Sequence, residues 1–144
     1  MTIFEKSGKI YGIDKIAAGN EMQNPIPFDP YQQNYKFPFG SVRAGTAVRF
    51  AVCLPRAMGC SGVTLLINEA FSGRENAVAL SWRETDQITE WWECVFTPRE
   101  EGVYRYSFEY RVSWGTGTIA PDENDAGSFS AAGSNWQLTV YSPD

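Results

Sequence analysis

From Thr46 onward, apolar and polar residues alternate in short runs. One run carries an apolar residue at every second position from Val48 to Leu54, with Arg49 between them. In a strand, alternate side chains face opposite sides of the sheet. The runs are Thr46–Leu54, Gly62–Asn68, Ala77–Arg83, Glu90–Thr97, Val103–Val112 and Asn135–Tyr141. No helical period persists among them, so the pattern predicts an all-β fold, an antiparallel β-sandwich of immunoglobulin-like type.

The run Val103–Val112 has a strongly aromatic face. That face holds Tyr104, Tyr106, Phe108, Tyr110 and Val112. Arginine, serine and glutamate occupy the opposite face, so we expect the aromatic stripe to lie in the core. The same argument buries Trp82, Trp92 and Trp136, and it places Trp91 on a polar face with Glu93.

Before these runs the chain has a different character. Residues 1–24 show no clear period and are interpreted as an N-terminal arm. The stretch NPIPFDPYQQNYKFPFG, Asn24–Gly40, holds four prolines among five aromatic residues. Proline removes a backbone donor, so this stretch is compatible with an edge strand and a packed loop and not with a helix. The predicted organisation is an arm over residues 1–24 and a β-sandwich domain over residues 25–144.

Composition narrows the classes of partner. The net charge is −5, and no run of lysine and arginine offers a nucleic-acid site. No apolar run has membrane length. The first residues lack the apolar region of a signal peptide. We therefore expect no nucleic-acid or membrane partner and a cytoplasmic location, or a secreted one if an export signal has been removed.

Several kinds of reactive site are excluded by residue type. The sequence has no histidine, which excludes histidine-based triads and zinc sites that use imidazole. Three cysteines are too few for a four-thiolate site. We expect free thiols. A disulfide between Cys53 and Cys60 is the alternative, because the two residues are close in sequence. The loop PDENDAG lacks the ligand spacing of an EF-hand, so we predict no metal and no cofactor.

Carboxylates that could serve a glycosidase occur in two groups. They are Glu90, Glu93 and Glu109 in the strands, and Asp122, Glu123 and Asp125 in a loop. The short connection Thr97–Gly102 suggests that its two flanking strands are neighbours. Glu93 and Glu109 would then form surface ion pairs with Arg105 and Arg111. With no nucleophile motif or phosphate loop, the sequence predicts no catalytic residue and a domain that is not an enzyme.

Three segments carry a resemblance to a known family. They are FPFGSVRAGTAVRFAVCLPRAMGCSGVTLLI, EWWECVFTPREEGVYRYSFEY and the ending WQLTVYSPD. Together they resemble the N-terminal β-sandwich domain of α-amylase-family enzymes, glycoside hydrolase family 13. Within that family the neopullulanase and cyclomaltodextrinase branch, with its family 34 carbohydrate-binding module, is the most similar. The resemblance covers roughly Ile26 to Asp144.

The resemblance implies an accessory domain whose partners are an α-glucan and a catalytic barrel of the same parent chain, expected after Asp144. Two regions depart from the family pattern. Residues 1–24 lie outside it, and Ser113–Ser134 is longer and richer in glycine and serine than expected.

Three functions remain open. In the first, the domain binds starch or maltooligosaccharide. In the second, it packs on the barrel or in a homodimer without binding sugar. In the third, it is an immunoglobulin-like adhesion module. Sugar binding needs solvent-facing rings that stack on glucose units. The candidates are Trp91 on its polar face, Trp114 in the loop VSWGTG, and Tyr141 opposite the apolar face of its strand.

Overall fold

Ten strands make up most of the described chain in the computed structural model, which describes residues 26–129 and 134–142. The strands are β1 (Lys36–Phe37), β2 (Val42–Arg43), β3 (Val48–Pro55), β4 (Gly62–Glu69), β5 (Glu75–Thr85), β6 (Thr89–Phe96), β7 (Gly102–Val112), β8 (Gly115–Pro121), β9 (Gly127–Ser128) and β10 (Trp136–Tyr141). A 3-10 turn, Arg56–Met58, follows β3. The predicted all-β fold is confirmed, and each of the six predicted strands is present. The predicted arm, residues 1–24, lies outside the described residues.

The strands form one sheet that folds over into two layers. The order across it is β1-β3-β6-β5-β4-β7-β10-β2. Strand β5 belongs to both layers, since its first half pairs with β4 up to Leu80 and its second half pairs with β6 from Ser81. We call β1, β3, β6 and the second half of β5 the first layer, and the rest the second layer. Neighbours in this order are antiparallel except β10 and β2, which are parallel.

Two strands share one side of β7. Strand β10 pairs with its first half, from Gly102 to Tyr106, and β8 pairs with its second half, from Phe108 to Val112. The sequence pattern did not predict β8, because its segment is rich in glycine and threonine and shows no apolar alternation. Strand β8 therefore gives structure to the connection that departs from the family pattern.

The prediction that β6 and β7 are neighbours is wrong. The connection Thr97–Glu101 crosses from the first layer to the second, and β5 and β4 lie between the two strands in the sheet. Glu93 consequently pairs with residues of its own layer. Its carboxylate lies 2.9 Å from the Arg83 guanidinium and 3.9 Å from that of Arg49, and not against Arg105 or Arg111.

The core lies between the two layers and is strongly aromatic. The predicted β7 stripe is buried along its whole length, as expected. Phe28 fills the centre of the core from outside any strand. Its ring lies 4.8 Å from that of Phe108 and 4.7 Å from that of Trp136. Backbone hydrogen bonds hold Pro27 and Phe28 to both layers, since Cys53 N donates to Pro27 O and Gly127 N donates to Phe28 O.

The three tryptophans predicted to be buried have different outcomes. Trp136 is buried, with 5% of its surface exposed, and Trp92 is half-buried. The prediction for Trp82 is wrong, since 54% of its surface is exposed. Trp82 lies opposite Trp92 in the register, but it follows the point where β5 leaves β4. The two-residue period identified its face, but it could not show where the opposing layer ends.

All three cysteines are free thiols. Cys94 lies in the core, and burial raises the pKa of its thiol to about 12. Cys53 faces outward from β3 and is nevertheless buried, because the segment before β1 covers it. Among the described residues no helix is long and apolar enough to span a membrane.

Candidate functional site

A groove of about 330 Å³ runs along β10, which we call the β10 groove. One wall is the segment Pro30–Ser41, and the other is the start of β10 with the turn before β9. The side chains that the site uses are Tyr31, Lys36, Phe39, Tyr106, Asp125, Asn135, Gln137 and Thr139. Concave sites of this size, with aromatic walls and a few polar groups, are the usual form of a small-ligand site.

The crossing of the chain between the two layers creates the groove. Strand β1 is at the edge of the first layer against β3, and β2 is at the edge of the second layer against β10. The residues between them therefore span the open side of the sandwich. Strand β2 pairs only with Val140 and Tyr141, so within the described chain the earlier part of β10 keeps a free edge.

Two exposed rings form the rim. Tyr31 has 61% of its surface exposed and Phe39 has 64%. Their ring centroids are 6.1 Å apart and their planes are inclined by 50°. Such rings present an apolar surface on which the face of a sugar can stack. The inclination makes this surface angled rather than flat.

Asp125 connects the two walls of the groove. Its carboxylate accepts a hydrogen bond from the Tyr31 hydroxyl at 3.1 Å, and its backbone oxygen accepts one from the Trp136 indole at 2.8 Å. The bond to Asp125 raises the pKa of Tyr31 above its ordinary value, since it favours the neutral phenol. The Asp122 carboxylate holds the same turn by accepting backbone bonds from Asn124 and Ala126. The rim is therefore held in place without a ligand.

The floor of the groove contains two buried polar side chains. Lys36 is 3% exposed, and its ammonium donates to the backbone oxygens of Pro38 and Gly40 at 2.9 and 3.2 Å. Burial lowers the pKa of this ammonium. Tyr106 is fully buried, and its hydroxyl has no hydrogen-bond partner among the described residues.

Polar side chains from β10 and from the residue just before it complete the groove. Asn135, Gln137 and Thr139 occupy alternate positions, so the strand presents them on one face. Gln137 donates to the Thr139 hydroxyl at 3.4 Å. Amides and hydroxyls beside stacked rings are suited to a neutral ligand with many hydroxyl groups.

Trp91, one of the residues predicted to bind sugar, lies on the outer face of the first layer. The register places it between Cys53 of β3 and Glu84 of β5. It is half-buried, and its ring packs against Tyr35 at 5.2 Å with the Arg83 guanidinium 5.0 Å above it. The polar-face assignment is confirmed, but neighbouring side chains cover much of the ring.

Trp114 and Tyr141 are both exposed, at 79% and 49%. Trp114 lies in the turn after β7. Tyr141 follows Val140, which pairs with Gly102 at the other end of β7. The 11-residue length of β7 therefore separates Trp114 from Tyr141, which is roughly 35 Å at the usual rise. The structure does not bring the three predicted rings together on one surface.

The sequence reasoning missed Tyr31 and Phe39 as candidate rings. Both belong to the proline-aromatic stretch, where aromatic density was the available signal. That stretch has no regular period, so the sequence could not separate the buried Phe28 from the exposed Tyr31 three residues later.

The groove offers little for catalysis. Asp125 is the one carboxylate among its lining residues. Glycoside hydrolysis ordinarily uses two carboxyl groups on either side of the bond. Within residues 26–129 and 134–142 there is also no cluster of three or more metal-ligating side chains. The arrangement is suited to holding a ligand.

Comparisons with known proteins were informative at the level of structure. No protein-family model matches the sequence, and no curated protein matches it. The chain is similar to a cyclomaltodextrinase, with a TM-score of 0.56 and 14% identity over 74% of this chain. It is also similar to the carbohydrate-binding module of the muscle glycogen-targeting subunit of protein phosphatase-1, with a TM-score of 0.48 and 10% identity, covering 81% of this chain and 99% of that one.

The chain spans 18% of the length of the cyclomaltodextrinase. At 14% identity this likeness shows the fold. It confirms the resemblance found in the sequence, in that a cyclomaltodextrinase contains a β-sandwich of this kind.

Proposed function

We propose that this chain is a non-catalytic carbohydrate-binding domain of a glycoside hydrolase that acts on α-glucans, and that it binds maltooligosaccharide or starch in the β10 groove. A catalytic barrel of the same parent chain is the implied partner. The observation that carries the proposal is the pair of exposed, inclined rings, Tyr31 and Phe39, above a groove lined with amides and hydroxyls.

The inclination of the rings supports an α-glucan in particular. Successive glucose units of an α-1,4 chain turn relative to one another, whereas a β-1,4 chain is flat and extended. Ring planes that differ by 50° over 6.1 Å match a curved chain better than a flat one. The similarity to a cyclomaltodextrinase supports the same class of ligand, since that protein's name identifies it with cyclic maltodextrins.

The proposal is tested by titrating the chain with maltoheptaose and following heat or tryptophan fluorescence. We expect binding to maltoheptaose and none to cellohexaose. Tyr31→Ala and Phe39→Ala should each weaken binding about tenfold, because each ring covers apolar sugar surface equivalent to one to two kcal/mol. Their exposure means that neither change should unfold the domain.

Matched controls come from exposed rings elsewhere. Phe71 lies 97% exposed in the β4–β5 turn, and Trp114 is 79% exposed beyond the other end of β7. Replacing either with alanine should leave the affinity unchanged. If Trp114→Ala abolished binding and Tyr31→Ala did not, the site would lie at the ring chosen from the sequence.

A packing role is the second candidate. Phe71 and Trp114 favour it, because exposed aromatic rings are also typical of protein interfaces. The turn that carries Phe71 is held firmly, since the Glu69 carboxylate accepts the backbone bonds of Phe71 and Ser72 at 3.0 and 2.8 Å. Failure of the wild-type chain to bind any maltooligosaccharide at millimolar concentration would leave this role as the better account.

A further inference from the structure

The Tyr106 hydroxyl is an unusual feature of the β10 groove. Its side chain is fully buried, and its oxygen has no hydrogen-bond partner among the described residues. Leaving a buried hydroxyl unpaired carries a free-energy cost relative to pairing it. Phenylalanine would fill the same space in the core without that cost, so packing gives no reason for the hydroxyl.

Tyr106 lines the groove, together with Lys36 on the same floor and Tyr31 on the rim. Burial raises the pKa of Tyr106 well above its ordinary value, with a smaller contribution from nearby Tyr31, so the phenol stays protonated. It can therefore both donate and accept a hydrogen bond.

Lys36 provides a second polar group at the floor. An ammonium has three donors, and two of them are used by Pro38 and Gly40. No described residue takes the third. A donor and a donor–acceptor group on one floor are complementary to a ligand hydroxyl.

We infer that Tyr106 and Lys36 form a polar subsite that holds one hydroxyl group of the bound sugar. This inference rests on the proposed function and adds a specificity determinant to it. Tyr31 and Phe39 provide stacking, which tolerates many sugars, while the floor requires a hydroxyl at one position of the ring.

The test uses Tyr106→Phe, which removes one oxygen atom and preserves the ring. The variant should bind maltoheptaose about 3- to 10-fold more weakly, the usual range for one hydrogen bond. Its melting temperature should be equal to or higher than that of the wild type, because the change removes an unpaired buried hydroxyl. A structural role for the hydroxyl would instead lower the melting temperature.

A set of monodeoxy maltosides identifies the sugar hydroxyl. One member should bind the wild-type chain as weakly as the parent sugar binds Tyr106→Phe. That same member should lose no further affinity in the variant, since both changes remove the same hydrogen bond.

The outcomes separate the two proposals. Equal affinity of Tyr106→Phe and wild type, with Tyr31→Ala weakened, would overturn the polar subsite and leave the proposed function standing. No binding of maltoheptaose by the wild type would overturn both. The subsite would also be overturned if Tyr106→Phe weakened sugar binding but each deoxy sugar lost as much affinity in the variant as in the wild type.

Discussion

Strand β7 and the segment Pro30–Ser41 contain similar kinds of aromatic residue and use them in opposite ways. In β7, every second residue from Tyr104 to Val112 is buried in the core. In Pro30–Ser41, the rings of Tyr31 and Phe39 are mostly exposed and line a groove. Aromatic content therefore does not distinguish a core from a binding surface.

The difference lies in the backbone that carries the rings. A strand has a two-residue period, so it commits alternate side chains to the core. The segment is interrupted by Pro30 and Pro38, and it crosses from one layer to the other. Each ring then takes the environment that the crossing gives it, which allows exposed rings close to a buried lysine.

The sharpest way to break this comparison is to truncate one buried ring in β7 and one in the irregular chain just before Pro30–Ser41. Phe28→Ala and Phe108→Ala should each lower the free energy of unfolding by about 3–5 kcal/mol, because both side chains are fully buried. Urea denaturation followed by tryptophan fluorescence measures both. Equal losses would show that the segment before β1 belongs to the core as fully as β7 does.

Exposed residues of β7 provide the control for that experiment. Arg105→Ala should lower the free energy of unfolding by less than about 1 kcal/mol, since the side chain lies on the outer face. A loss of less than about 1 kcal/mol for Phe28→Ala would contradict the docking of the segment into the core.

A smaller effect is expected at Trp91, where a strand presents a ring on its outer face. Trp91→Ala should lower the free energy of unfolding by about 2–3 kcal/mol, because the ring packs on Tyr35 and beneath Arg83. This loss is smaller than that for a fully buried ring. Sugar affinity should stay unchanged. Trp114→Ala is the matched control, with a change of less than about 0.5 kcal/mol.

The opposite result at Trp91 would be equally informative. A loss of sugar affinity without a loss of stability would place the binding surface around Trp91, one of the three rings predicted from the sequence. The β10 groove would then need a different function.

Alternation alone predicted most of the sheet, because each of the six runs has one apolar face that must be buried. It failed where burial depends on which strands lie opposite. Trp82 continues the apolar face of β5, yet it is exposed because β5 has already left β4. The order of strands across the sheet also could not be obtained from a short connection, as the separation of β6 and β7 shows.

The candidate site was harder to predict for a related reason. Its walls come from Tyr31, Asp125 and Gln137, which are distant in sequence and meet only when the sheet folds over. The Tyr31–Asp125 hydrogen bond joins residues 94 positions apart. Nothing in the spacing of either residue indicates that contact, whereas the stacking ability of exposed rings could be expected from residue type.

The smallest expected effect concerns that hydrogen bond. Tyr31→Phe keeps the ring for stacking and removes the bond to Asp125, so the rim loses one of its fixed points. We expect maltoheptaose to bind about two- to threefold more weakly, compared with about tenfold for Tyr31→Ala. The melting temperature should not change measurably, because the bond is exposed.

A pH titration provides an independent measurement. The folded pKa of Tyr31 is raised above its usual value of 10.0, so the contribution of the bond is fully present below that pH and is lost as pH rises through the folded pKa. Wild-type affinity should thus fall toward that of Tyr31→Phe only at alkaline pH, while the variant shows no such step. A Tyr31→Phe affinity equal to that of Tyr31→Ala would mean that the hydroxyl, and not the ring, carries the contribution of Tyr31.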